Sequence, residues 1–249
     1  MSELSILQTL VGAGMTVEAA CAMGGNMTAE SQMRANNLQD SKEKPLNFTD
    51  DTYTAAIDSG RYSREQFSFD DGGYGLCQWT HYERKPKLYD FAKKNGKSIG
   101  DEGMQVAFCL AELKTDYPIL WLYLSNTPYM YDASERICKE YERPAVNNIA
   151  ARNKYAKELW DKYSAVLSAG ASHEEDIDRE PSSYILPNIT EGRTPEAEYL
   201  AALLKNIGYD VLWSGLWACI IDFQQKTGLT ADGICGEKTW AKIMEASNG

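Results

Sequence analysis

Apolar residues recur at helical spacing from the start of the chain. Leu4, Leu7, Leu10 and Val11 share one face, and Gly12 and Gly14 stop the helix they predict. Thr16 is placed as an N-cap for a second helix, with Glu18 in its first turn where the helix dipole favours a negative charge. Ala19, Ala20 and Met23 carry that helix to about Ala29, so Glu30 falls near its C-terminal end, on a segment with little polar face. Residues 31–75 are polar and lack long apolar runs. Phe67, Phe69, Tyr74 and the turn Asp70-Asp71-Gly72-Gly73 predict short strands or an irregular subdomain there.

Helical spacing returns from Lys85 to Tyr163, over 89–94, 103–117, 119–124, 131–141 and 149–167, with Pro118 and Pro144 marking breaks. Residues 168–187 change character. A Ser/Ala/Gly lead-in gives way to an acidic run from His173 to Pro181, the composition of a solvated linker in which His173 is surface filler. Three short amphipathic stretches follow, 196–207, 216–226 and 237–246. Gly208 and Gly228 end the first two, Gly236 precedes the third, and Asp232-Gly233 forms a turn. The pattern predicts a mainly α protein. A catalytic domain at 1–166 carries the small irregular or β subdomain, 167–189 is an acidic linker, and 190–249 is a three-helix bundle.

A chain of 249 residues allows one large or two modest domains. Its formal charge of −11, without any basic run, argues against nucleic acid and anionic membrane as partners. The six cysteines form no C-x-x-C pair, and with only two histidines the usual zinc spacings are missing, so reduced thiols and no metal or other cofactor are expected. Leu4 to Met23 is interrupted by Gly12, Gly14 and Glu18 and has no basic lead, which predicts neither a secretory signal nor a membrane anchor.

Two segments could carry chemistry. Glu30 closes Gly25-Asn26-Met27-Thr28-Ala29-Glu30-Ser31; at the end of an apolar helix, burial would favour the neutral acid needed to protonate a leaving oxygen. The second segment is Gly72-Gly73-Tyr74-Gly75-Leu76-Cys77-Gln78-Trp79-Thr80. Tyr74 and Trp79 offer flat faces for sugar rings, and Gln78 offers both a donor and an acceptor. Read differently, this is a Gly-rich hairpin whose aromatics fill a core. An inverting glycosidase also needs a base roughly 6.5–9.5 Å from the acid. Asp71 and Asp70 are the candidates, with Asp40, Asp50 and Asp51 also in the intervening segment. Cys77 and His81, four apart, raise a peptidase or amidase alternative, weakened because Cys77 occupies the x of Gly-Leu-x-Gln.

Together the two motifs resemble those of the phage tail-lysozyme and endolysin family, related in motif to goose-type lysozymes and lytic transglycosylases. The resemblance runs over about residues 4–164, through Arg84, Leu88, Asp90-Phe91-Ala92 and the 135–144 segment. It implies that Glu30 is the general acid and that Tyr74, Gln78 and Trp79 line a glycan cleft. It leaves the second carboxylate open, because lytic transglycosylases use the sugar's own 6-hydroxyl. Residues 196–246 resemble a type 1 peptidoglycan-binding domain through Ala202–Tyr209, Asp222–Leu229 and Asp232–Trp240. Asp232 and Gly233 are then the expected contributors to a muropeptide groove, and Phe223 and Trp240 are core. The departure from the family pattern is Leu212-Trp213-Ser214-Gly215.

Both resemblances imply peptidoglycan as partner. The expected protein is a monomeric endolysin that cleaves between N-acetylmuramic acid and N-acetylglucosamine. It would stay in the host cytoplasm until holin-dependent release. The alternatives are a transglycosylase giving 1,6-anhydro products, a virion-associated lysin, and an inactive wall-binding protein.

Overall fold

Ser2 opens the first helix by accepting a hydrogen bond from the Ser5 amide (3.3 Å). The computed structural model describes residues 2–144, 146–172, 195–209 and 216–247. Helix α1, Glu3–Gly12, buries Ile6, Leu7 and Leu10, close to the expected apolar face. Helix α2, Val17–Ser31, begins at the expected cap, with Thr16 Oγ1 accepting from the Ala19 amide at 3.1 Å. Nearly all of α2 is buried, and Met23 and Met27 are wholly so. Each such side chain contributes about 2 kcal/mol through burial.

The polar stretch is helical, which corrects the expected strands. It forms α3 (Asp40–Leu46), α4 (Asp50–Asp58) and α5 (Arg64–Phe69). Capping boxes set the starts of the last two, Thr49 with Thr52 and Ser63 with Gln66. Phe67 and Phe69 suggested a strand because they alternate, one buried and one exposed. Residues two apart also diverge around a helix, so in so short a segment the pattern fits either element. Among the described residues, strand-like pairing is confined to the isolated bridges Leu38–Tyr74 and Tyr74–Trp79.

The remaining helices of this unit are α6 (Lys85–Lys94), α7 (Glu102–Thr115), α8 (Pro118–Leu124), α9 (Met130–Arg136) and α10 (Ile149–Ser172). Pro118 starts a helix, where its missing N–H has no intrahelical partner to lose. Helix α9 passes directly into a π-helical turn, Ile137–Glu142. Helix α10 packs along α2, and both pack on α9. The α2–α10 contact depends on Gly25, where a Cβ would lie 2.6 Å from the Ala156 nitrogen and 2.7 Å from the Arg152 carbonyl oxygen.

Contacts divide the chain into two compact units, Met1–Glu174 and Glu175–Gly249. Helix α10 reaches Ser172, beyond the position where the sequence starts the linker. The rest of that linker, with His173, lies outside the described residues, as does the 210–215 loop. The second unit contains α11 (Pro195–Asn206), α12 (Leu216–Lys226) and α13 (Glu237–Ser247). Phe223 and Trp240 are buried in it, as expected of core residues. The protein is mainly α in both units.

Candidate active site

Glu30 sits in the last turn of α2, with 16 % of its side chain exposed. Its Oε1 accepts from Arg152 Nη2 at 2.5 Å. Arg152 lies in the first turn of α10, and the close approach at Gly25 brings it there. Asn26, one turn before Glu30, orients this cation: its Oδ1 accepts from Arg152 Nη1 (2.9 Å), while its Nδ2 donates to the Ala22 and Ser134 carbonyls. Beyond Glu30 the chain turns sharply, with Gln32 and Met33 both at positive φ (54° and 56°). Such backbone is costly for residues with side chains and concentrates at functional sites.

Ser31 links the two sequence motifs. Its hydroxyl donates to Leu76 O at 3.0 Å, and Met27 O lies at 3.1 Å. The Gly-rich turn is held from behind by Gln105, a buried residue that the sequence reading missed. Gln105 Oε1 accepts from the Leu76 amide, and its Nε2 donates to the Ala35 and Ile99 carbonyls. Gly75 is required here: its φ is +77°, and a Cβ would lie 2.4 Å from Gln105 Oε1. Glu30 and Gln78 both line a cavity of about 950 Å³, with Asp71 and Glu142 also on its wall. Gln78, itself at positive φ, commits its Nε2 to Asn37 and to Gly75 O.

Tyr74 and Trp79 do not line this cavity, which corrects the expectation that they stack on sugar. Both are 0 % exposed. Tyr74 packs on Tyr53 and Phe67, and its hydroxyl pairs with Thr54 (2.6 Å). Trp79 packs on Phe108 and donates to Glu112 Oε2 (2.8 Å). Buried Glu112 also accepts from the forked Arg84 guanidinium and from Tyr141 OH (2.8 Å). The aromatics of the motif therefore build the support behind the cavity.

Asp71 stands on the cavity wall, but its side chain is 76 % exposed and paired with Lys42 at 2.5 Å. That hydrogen bond holds its carboxyl below the usual range. Asp70 is unsuited to be a base because it is buried against Lys85 and accepts from Tyr53 OH (2.6 Å). Asp50 caps the Leu38 amide and pairs with Arg34, and Asp51 accepts from Asn36. Burial, followed by Cys109, pushes the Cys77 thiol well up. His81 instead stacks on Tyr82 and accepts from the Glu83 amide. This arrangement does not support the peptidase alternative.

Glu142, which the sequence reading passed over, is a further acidic group in the cavity wall. Its Oε1 is buried with no hydrogen-bond partner. Burial and then the charge of Glu30 push its carboxyl well above the usual range, against the pull of Arg84 and Arg152. Only the tertiary fold brings this residue to Glu30.

In the second unit, Asp232 and Gly233 wrap buried Gln224. Asp232 Oδ1 accepts from Gln224 Nε2 (2.8 Å) and from the Ile234 amide (2.9 Å), and the Gly233 amide donates to Gln224 Oε1 (2.9 Å). Asp232 is exposed and Gly233 buried.

The first unit is mainly α and holds a partly buried glutamate in a cleft, and a second, small helical unit follows it in the chain. The chain belongs to the phage tail lysozyme family, which it matches over residues 2–163. Residues 195–243 match a putative peptidoglycan binding domain. No curated protein matches the chain. The two matches make it a peptidoglycan-lytic protein with peptidoglycan as partner. Among the described residues, no helix is long and apolar enough to cross a membrane.

Proposed function

We propose that the chain is an endolysin that cleaves peptidoglycan glycan between N-acetylmuramic acid and N-acetylglucosamine, with Glu30 as general acid. The observation that carries this reading is the placement of Glu30: partly buried, facing a cavity large enough for sugar rings, and fixed by Arg152, with Ser31 tied to the Gly-Leu-x-Gln turn. Arg152 takes Oε1, so Oε2 is the atom to carry the proton to the glycosidic oxygen. The C-terminal domain would hold the enzyme on its polymer, raising the local concentration of cleavable bonds. Asp232 and Gly233 remain the proposed muropeptide contacts, with Asp232 offering its second carboxylate oxygen. Release from the host cytoplasm through a holin fits the endolysin reading.

Lytic transglycosylation is the second reading. It is favoured by the exposure of Asp71 and its pairing with Lys42, which make it a poor activator of water. A transglycosylase needs no such base, because the sugar's 6-hydroxyl attacks the anomeric carbon. Mass spectrometry of digested peptidoglycan separates the two outcomes. Reducing N-acetylmuramic acid ends support hydrolysis, 1,6-anhydro ends support transglycosylation, and reducing N-acetylglucosamine ends or released peptides would overturn the proposed bond.

A further inference from the structure

We propose that Glu142 is the second acidic residue of the cleavage site, a substrate-contacting group whose carboxyl hydrogen-bonds the glycan held against Glu30. This rests on the glycosidase reading above. Three features carry it. Glu142 shares the cavity wall with Glu30. Its Oε1 is buried without a partner, a costly condition of the kind kept at catalytic groups. Its position is also rigidly built. It ends the π-helical turn, and Arg143, at φ 50° with its amide bonded to Cys138 O (2.8 Å), reverses the chain immediately afterwards. π-Helical insertions and left-handed non-glycine residues both concentrate at functional sites.

The flanking residues are held in place as well. Tyr141 is locked by its hydroxyl on Glu112 and by Arg84 over its ring at 4.4 Å. Arg143 Nη2 donates to Tyr117 OH (2.7 Å). The charged groups acting on Glu142 are Glu30, Arg84 and Arg152, with the Cys109 thiol nearby. Its burial, and then their balance, favour the neutral form of Glu142. A carboxylic acid both donates and accepts, which matches the acetamido and hydroxyl groups of an amino-sugar polymer. Glu142 fits this role better than Asp71, whose carboxylate is engaged with Lys42 in solvent.

The test uses the full chain on purified peptidoglycan, with released glycan fragments quantified and thermal melts recorded at neutral pH. Glu142→Ala should cut the rate about tenfold or more, the scale of a lost hydrogen bond in a desolvated site. Glu142→Gln keeps a donor and an acceptor and should recover most of that loss. Neither variant should melt below wild type, because each removes the carboxyl whose buried Oε1 lacks a partner. Three results would overturn the proposal: wild-type rate in Glu142→Ala, Glu142→Gln as slow as Glu142→Ala, or lowered melting in both. A wild-type chain that releases no glycan fragments would instead defeat the underlying glycosidase reading. An active wild type with an inert Glu30→Gln and an unaffected Glu142→Ala would defeat the Glu142 role alone.

Discussion

At the scale of single residues, the site is a set of charges placed by buried hydrogen bonds. Glu30 meets the cavity at one oxygen and Arg152 at the other, and Asn26 keeps Arg152 in place. Trp79 lies behind this arrangement with its indole N–H on Glu112. Trp79→Phe should therefore lower stability by about 1–3 kcal/mol, because a buried carboxylate loses a donor, while binding to walls stays unchanged. Denaturant melts and wall pull-downs check this. Weakened wall binding with unchanged stability would restore Trp79 as a sugar platform. Glu142 gives a prediction in pH. Its folded pKa is raised, so the folded state holds the proton after the unfolded chain has released it. Wild-type stability should therefore fall as pH rises above the ordinary carboxylate range, whereas Glu142→Gln lacks that loss. The melting advantage of Glu142→Gln should be larger at about pH 7.5 than at about pH 4.5. An advantage independent of pH would mean that Glu142 is not held protonated.

At the scale of elements, the crossing of α2 and α10 governs the site, because it carries Arg152 to Glu30. Gly25→Ala forces a Cβ into the α10 backbone. It should destabilise the catalytic unit by about 1–3 kcal/mol or more and reduce lysis in step, read by melts alongside turbidity clearing. Unchanged melting would mean that the helices separate without cost. Elements declared by local chemistry were legible in the sequence: Thr16 as a cap, Gly12 and Gly14 closing α1, Pro118 opening α8. The place of Glu30 at the end of a buried helix was legible for the same reason. Helices α3 to α5 were not, because each is too short to show a helical period, although the Ser63–Gln66 capping box was a local signal that the sequence reading did not use. Arg152, Gln105, Glu112 and Glu142 could not be assigned roles either. Gln105 meets Leu76 across 29 residues, Glu112 meets Trp79 across 33 and Arg152 meets Glu30 across 122, and nothing local distinguishes a buried charge from a solvated one. Tyr74 and Trp79 misled for a related reason: an aromatic in a Gly-rich turn has the same local pattern whether it faces a ligand or a core.

At the scale of the whole molecule, a lysozyme-type unit and a wall-binding unit act on one polymer. The net charge of −11 opposes attraction to an anionic wall, so retention should rest on hydrogen bonds and packing. A Glu30→Gln chain bound to acid-stripped peptidoglycan should stay bound across a salt series, and steep release at moderate salt would show that charge carries the binding. The same variant gives the most direct test of the central claim. Glutamine keeps the shape of Glu30 and a contact for Arg152 but cannot give a proton to the leaving oxygen. The account predicts that Glu30→Gln, melting close to wild type, releases glycan fragments from purified peptidoglycan at least about 100-fold more slowly. A well-folded Glu30→Gln chain that cleaves within a few-fold of wild type would contradict it.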